Sequence, residues 1–102
     1  MPISKILELY ARSGRSLIAK GLNEAALPLA DAHVALELFN EQRWRVLGGD
    51  VYRMTKDGEF ELTYEDWFYD GESVEQSIGL AYEVVNRLAG QPVYIVFVVN
   101  AS

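Results

Sequence analysis

Cysteine is missing from this chain, which excludes disulfides, thiolate metal sites and cysteine nucleophiles. The absence fits a reducing compartment. Histidine occurs once, at His33, beside Asp31 and Glu37; a lone imidazole on a helix makes a poor metal centre, and neither a metal nor a cofactor is expected. Long apolar runs are also lacking. The longest, Val93 to Val99, covers seven residues, whereas a membrane span needs roughly 20. The opening Met1-Pro2-Ile3-Ser4-Lys5-Ile6-Leu7-Glu8 has no uninterrupted apolar core of signal-peptide type, so the chain reads as cytoplasmic, without a membrane partner. Bases are few, 9 against 15 acids, for a formal charge of −6. Nucleic-acid binders cluster their bases to neutralise phosphates; here the densest group is Arg43 and Arg45 about a tryptophan, and no nucleic-acid partner is expected.

What is present suits an ordinary folded domain. The 102 residues, 50% hydrophobic and 24% charged, are enough for one core, and we read residues 1–102 as one domain. Pro2 to about Ser13 reads as a helix with Ile3, Ile6, Leu7 and Tyr10 on one face and Gly14 closing it. Ser16 to Lys20 reads as a further helical turn. Pro28 suits the first position of a helix that runs to about Gln42 and buries Ala32, Ala35, Leu36 and Phe39. Ser73 with Gln76 makes a capping-box start for a third helix, whose stripe is Val74, Ile78, Ala81, Val85 and Leu88. Val93 to Val99 is a final strand, apolar on both faces and so expected to be covered on both.

Two strands, Arg45 to Thr55 and Glu59 to Tyr69, meet around Lys56-Asp57-Gly58. A two-residue turn would set Met54 against Glu61, mixing polar with apolar. A three-residue loop with Gly58 left-handed pairs Met54 with Phe60, Arg53 with Glu61, Tyr52 with Leu62 and Asp50 with Tyr64, which matches like with like. The expected fold is α+β in the order α-α-β-β-α-β, a small mixed sheet of one hairpin and a C-terminal strand packed by helices, with a right-handed crossover into the last strand.

The hairpin also holds the chain's most unusual chemistry. Eight carboxylates lie between Asp57 and Glu75 with no lysine or arginine among them. A solvated acidic face explains this as readily as a surface for a basic partner. Gly48 and Gly49 sit mid-strand, where glycine permits a bulge or the close approach of another chain. Asp50 shares a face with Tyr52 and Met54. It either accepts hydrogen bonds that lock the sheet or sits at a rim reaching for a partner. Trp67 and Tyr69 fall on the opposite parity from Phe60, Leu62 and Tyr64, to be covered by the N-terminal helices or left as exposed rings beside acids. In the second case Glu65, Asp66, Trp67, Tyr69, Asp70 and Glu72 form a partner-binding patch able to engage lysine or arginine.

Three pieces, Gly21-Leu22-Asn23-Glu24-Ala25, Leu47-Gly48-Gly49-Asp50-Val51-Tyr52 and Thr63-Tyr64-Glu65-Asp66-Trp67-Phe68, resemble the family catalogued as immunity protein 40, found in bacterial polymorphic toxin systems. The resemblance runs from about Ser16 onward. It implies a small α+β protein, not an enzyme, that binds and neutralises a cognate toxin domain. Gly48, Gly49, Asp50, Tyr52 and Tyr64 are then motif positions that mark either the shared fold or the contact surface. Two other functions stay open: a module that self-associates, as a homodimer for instance, through an exposed final strand, and a small enzyme or ligand-binding domain built on Asp50 with Tyr52 or Tyr64.

Overall fold

In the computed structural model, which describes residues 2–16 and 24–100, three helices lie on one face of a six-stranded antiparallel sheet. The elements are α1 (Pro2–Ser13), β1 (Arg15–Ser16), β2 (Ala25–Pro28), α2 (Leu29–Glu41), β3 (Arg45–Met54), β4 (Phe60–Leu62), β5 (Trp67–Phe68), α3 (Val74–Arg87) and β6 (Val93–Asn100). The spatial strand order is β1-β2-β6-β3-β4, with β5 also on β3. The α+β class and the order of the main elements are as expected. The sheet is not mixed, however: each strand pair is antiparallel, and β6 lies inside the sheet between β2 and β3. Two short strands, β1 and β2, were not anticipated. Ser16 belongs to β1 rather than to a helical turn, and residues 17–20 of that turn lie outside the described residues.

The helices follow their apolar spacing. Helix α2 buries Ala32, Ala35, Leu36 and Phe39, the four positions read from the pattern, and Pro28 stands at its N-cap rather than inside its first turn. Helix α1 buries Ile6 and Leu9, while Leu7 faces solvent; its inner stripe runs one position differently from the expected one. The Gly14 amide closes α1 on the Tyr10 carbonyl at 2.9 Å. In α3 the stripe of Ile78, Ala81, Val85 and Leu88 is buried, together with Val84 and Ser77. With Leu27, Val46, Val51, Val93 and Ile95 from the sheet, these residues form one core. The other sheet face carries a separate small cluster, Ala26, Tyr52 and Val96 against Phe60 and Tyr94, with no helix over it among the described residues.

The hairpin adopts the three-residue loop. Gly58 has φ 79°, its amide donates to the Thr55 carbonyl at 3.0 Å, and the ladder pairs Met54–Phe60, Arg53–Glu61 and Tyr52–Leu62. The regular strand then stops. The Thr63 amide and hydroxyl both donate to the Val51 carbonyl at 2.9 Å, and its Oγ1 accepts from the Glu65 amide at 3.1 Å. Pairing resumes two residues out of step, Gly49 with Trp67 and Gly48 with Phe68. Asp50 therefore does not pair with Tyr64, which stands fully exposed at the break.

The two glycines make this re-entry possible, each for its own reason. Leu47 is the extra residue of a β-bulge, between the Val46–Val99 and Gly48–Val98 pairs. Gly48 follows at φ 149°, which a residue with a Cβ rarely adopts, and a Cβ there would strike the Trp67 carbonyl and lie 2.8 Å from the Phe68 Cα. A Cβ on Gly49 would lie 2.5 Å from the Trp67 indole and 2.7 Å from the Val96 carbonyl oxygen. The Trp67 ring thus lies across bare backbone, edge-on to Phe97 at 6.1 Å between centroids.

Two polar devices tie α3 to this strand. Ser77, fully buried, accepts the Val46 amide at 3.0 Å and donates to the Val74 carbonyl at 2.8 Å. At the helix start Ser73 Oγ accepts the Gln76 amide at 3.1 Å, as a capping box requires. The return half of the box is relayed: the Ser73 amide donates to the Tyr69 hydroxyl at 3.0 Å, and that hydroxyl donates to Gln76 Oε1 at 3.2 Å.

Gly49→Ala should lower stability by about 1–3 kcal/mol, since Trp67 must move, whereas Gly79→Ala, in open space on α3, should raise it by roughly 0.5–1 kcal/mol. Urea unfolding midpoints of the two variants should therefore shift in opposite directions. Ser77→Ala orphans a buried amide at the bulge and should cost about 1–3 kcal/mol by the same measurement. Burial pushes the Tyr10 phenol from 10.0 up to about 12. The folded chain holds that proton more tightly than the unfolded chain, so this part of the stability is complete below pH 10 and is lost as pH rises to 12. Alkaline melting curves should show the loss, and Tyr10→Phe should blunt it.

Candidate functional site

The acidic stretch lies on the hairpin edge and the loop leading into α3. Glu65, Asp66, Asp70 and Glu72 are all exposed, as are Asp57, Glu59 and Glu61. Folding brings bases to part of this stretch that are distant in sequence. Arg87 reaches Glu65 at 4.0 Å and Arg43 reaches Glu75 at 3.7 Å, both as exposed pairs that contribute little to stability. Glu72 also shares a shallow depression of about 170 Å³ with Arg43, Arg45, Val74 and Asn100. The least opposed acids are Asp57, Glu59, Asp66 and Asp70, since Arg53 stands across the ladder from Glu61.

The rings of the expected patch are placed differently. Trp67 is half-buried against the main core, and Tyr69 is half-buried with its hydroxyl engaged at the start of α3 and its ring against Gly71. Both hold the acidic loop in place from below. The exposed apolar side chains are instead Tyr64, Phe68 at 77% and Leu62 at 53%. The signal for Phe68 was in the alternation itself: once Trp67 points into the core, its neighbour in the strand points away. Ser77, the bolt between α3 and the bulge, had no such signal, because a serine in an apolar stripe reads as a flaw in the pattern.

Asp50 occupies the middle of the outer sheet face. Its ladder neighbour on β6 is Val96, with Gly48–Val98 and Tyr52–Tyr94 as the adjoining rows on that face. Tyr52 is only 4% exposed, and its phenol is pushed up by burial first, then by the charges of Asp50 and Glu24. Two carboxylates thus converge on one hydroxyl. No hydrogen bond locks Asp50 to a tyrosine or to nearby backbone among the described residues, contrary to the structural role considered for it. Tyr64, across the strand break, is not part of this group. Half-buried His33 lies 6.1 Å from the Tyr82 ring, and among the described residues no cluster of three His, Asp or Glu side chains could hold a metal ion.

An open cleft of about 350 Å³ lies elsewhere, between α1, α2 and β6, walled by Ile6, Tyr10, Phe39, Trp44 and Phe97, with Glu24 at its margin. Asp50 does not line it. Its walls are mostly apolar and offer no nucleophile with an adjacent base. Among the described residues, no helix is long and apolar enough to cross a membrane.

The geometry accounts for the sequence pieces noted earlier. Gly48 and Gly49 seat the Trp67 strand, and Thr63 turns the chain ahead of Glu65 and Asp66. Residues 21–23 of the first piece lie outside the described residues. No curated protein and no solved structure matches the chain significantly. The family model described as immunity protein 40 matches residues 16–99, from β1 almost to the end of β6. The chain belongs to the immunity protein 40 family.

Proposed function

We propose that this protein binds and neutralises a cognate toxin domain of a bacterial polymorphic toxin system, in the cytoplasm and by occlusion, with no catalysis or cofactor of its own. The observation that carries the reading is the pairing of exposed acids with uncovered rings on a braced edge. Glu65, Asp66, Asp70 and Glu72 are exposed beside Tyr64 and Phe68, while Trp67 and Tyr69 anchor the same segment inward. Acids provide long-range attraction to a basic domain, and exposed rings provide the short-range contact that interfaces favour. Membership of the immunity protein 40 family supports the same partner class.

Self-association through the final strand has less edge to use than expected, because β6 pairs with β3 along its length and with β2 at Tyr94 and Ile95. Of the two tyrosines considered for an enzyme built on Asp50, Tyr64 stands across the strand break, whereas Tyr52 shares the Asp50 face; neither pocket described above is lined by Asp50.

Expression of the chain should rescue growth of cells that produce the toxin domain encoded in the adjacent reading frame. The charge-reversed variant Asp66→Lys/Asp70→Lys/Glu72→Lys should associate with that domain at least about tenfold more slowly at low salt, with the gap closing as salt is added. Failure to rescue would reject the toxin reading. An association rate indifferent to both salt and charge reversal would reject the electrostatic capture.

A further inference from the structure

Two bases remain without a role: Arg43 and Arg45, the densest basic group of the sequence. They stand where α2 gives way to β3, and Trp44 between them is drawn inward onto Phe39, at 6.0 Å between ring centroids. Helix α2 ends in a Schellman motif, in which the Arg43 amide donates to the Asn40 carbonyl and the Trp44 amide to the Phe39 carbonyl, both at 3.0 Å. The residue after the Gln42 cap must then be left-handed, and glycine is the usual choice. Here it is Arg43, at φ 58° the one non-glycine residue of positive φ among the described residues. The turn gains nothing from a guanidinium at that point, and the Cβ works against it.

Arg45 is unusual in a second way. It is half-buried, and its Nε lies out of water with no hydrogen-bond partner. Among the described residues no carboxylate comes within ion-pair distance of it; the pairs nearby are Arg43 with Glu75 and Arg87 with Glu65. A donor group withdrawn from water without an acceptor is costly, and the rest of the guanidinium is left to find one. Arg45 lines the depression of about 170 Å³ together with Arg43, Glu72, Val74 and Asn100. The occluded Nε is out of reach from there, so contact falls to the terminal nitrogens. Arg43 is only loosely engaged, since its 3.7 Å pair with Glu75 is exposed on both sides. Val74 begins α3, and the positive end of that helix adds to the field. Glu72 is the opposing charge of the lining.

We infer that this depression is a carboxylate site and that it takes one aspartate or glutamate side chain of the partner protein. The inference rests on the toxin-binding reading and names a contact within it. Two guanidiniums offer a carboxylate the planar, paired N–H groups that it binds best. Charge and size select a protein carboxylate over a phosphate group. The depression admits a side-chain tip, and with Glu72 in its lining and Glu75 beside Arg43, a second negative charge on the guest is repelled. The site also does what the acidic loop cannot. Asp66 and Asp70 draw a basic surface from a distance and in many orientations. A single acid that must meet Arg43 and Arg45 selects among those orientations, because any other pose leaves the arginines facing the partner's bases. Steering then rests on acids, and register on bases.

The test uses the full chain labelled with ¹⁵N and the probe N-acetyl-aspartate N-methylamide, with its neutral asparagine analogue as control and inorganic phosphate as a second anion. Saturable shifts of the Arg43, Arg45 and Val74 amides and of the Arg45 Nε–H signal are expected with the carboxylate probe, and binding roughly tenfold weaker with the control. Arg45→Gln should weaken the probe by a similar factor, whereas Glu72→Gln should tighten it. Arg43→Gly should weaken the probe while holding or raising the urea midpoint, since glycine suits the left-handed turn. Against the toxin domain, Arg45→Gln should speed dissociation roughly tenfold and leave association within about twofold, the reverse of the charge-reversed acidic loop. Absence of saturable shifts, tighter binding of phosphate than of the carboxylate, or wild-type affinity in Arg45→Gln overturns the inference. The two readings fail separately. Arginine variants that hold and neutralise the toxin as well as the wild type remove this contact and keep the toxin reading. A wild-type chain that takes the carboxylate probe but protects no cell removes the toxin reading and leaves the carboxylate site.

Discussion

The contact on which the rest of this structure depends is the indole of Trp67 laid across the bare backbone of Gly49. It brings the end of the hairpin's second strand back onto β3 after the ladder has broken, and it does so two residues out of register. The slack is taken up by residues 63–66, which stand out from the sheet and carry Tyr64, Glu65 and Asp66 into solvent. Trp67 pointing inward forces Phe68 outward. The acid-rich segment is therefore displayed because an aromatic beneath it is buried, and any residue larger than glycine at position 49 works against that display.

Downstream the same segment is fastened a second time. Tyr69 stands where a capping box would close on itself, accepting the Ser73 amide and donating to Gln76, so the start of α3 is tied to the edge of the sheet. One turn along, Ser77 joins α3 to the bulge at Val46. The bulge residue is in turn bonded to the segment, since the Tyr69 amide donates to the Leu47 carbonyl at 2.8 Å. Bulge, loop and helix start form a closed ring of hydrogen bonds. Such closure holds a charged loop in one shape, which limits the ordering cost of binding.

Much of this was readable before the coordinates. The hairpin register followed from matching apolar with apolar and charge with opposite charge, and the four buried positions of α2 followed from helical spacing, because burial imposes those periods directly. The parity that separates Trp67 from Leu62 was also right. What failed depended on interruptions. The Asp50–Tyr64 pair assumed a strand that runs on, whereas Thr63 turns the chain by bonds to a single carbonyl that no pattern announces. The strands β1 and β2 have two and four residues, too short for alternation to show. The final strand was read as covered on both faces, and Val96 is, but Val98 is not, since coverage comes from distant chain. Trp67 and Tyr69 look like contact rings only while the glycine and helix cap that claim them are out of view.

The motif divides once each residue is asked what it does inside the monomer. Gly48, Gly49 and Trp67 shape the bulge and its closure, Tyr52 fills the small outer cluster, and Thr63 makes the turn. Asp50 and Tyr64 are the members with no such task among the described residues. The ladder neighbour of Asp50 on β6 is apolar Val96, and Asp50 acts together with Glu24 on the Tyr52 phenol. A fold that needed only stability at this point would be better served by a neutral β-former.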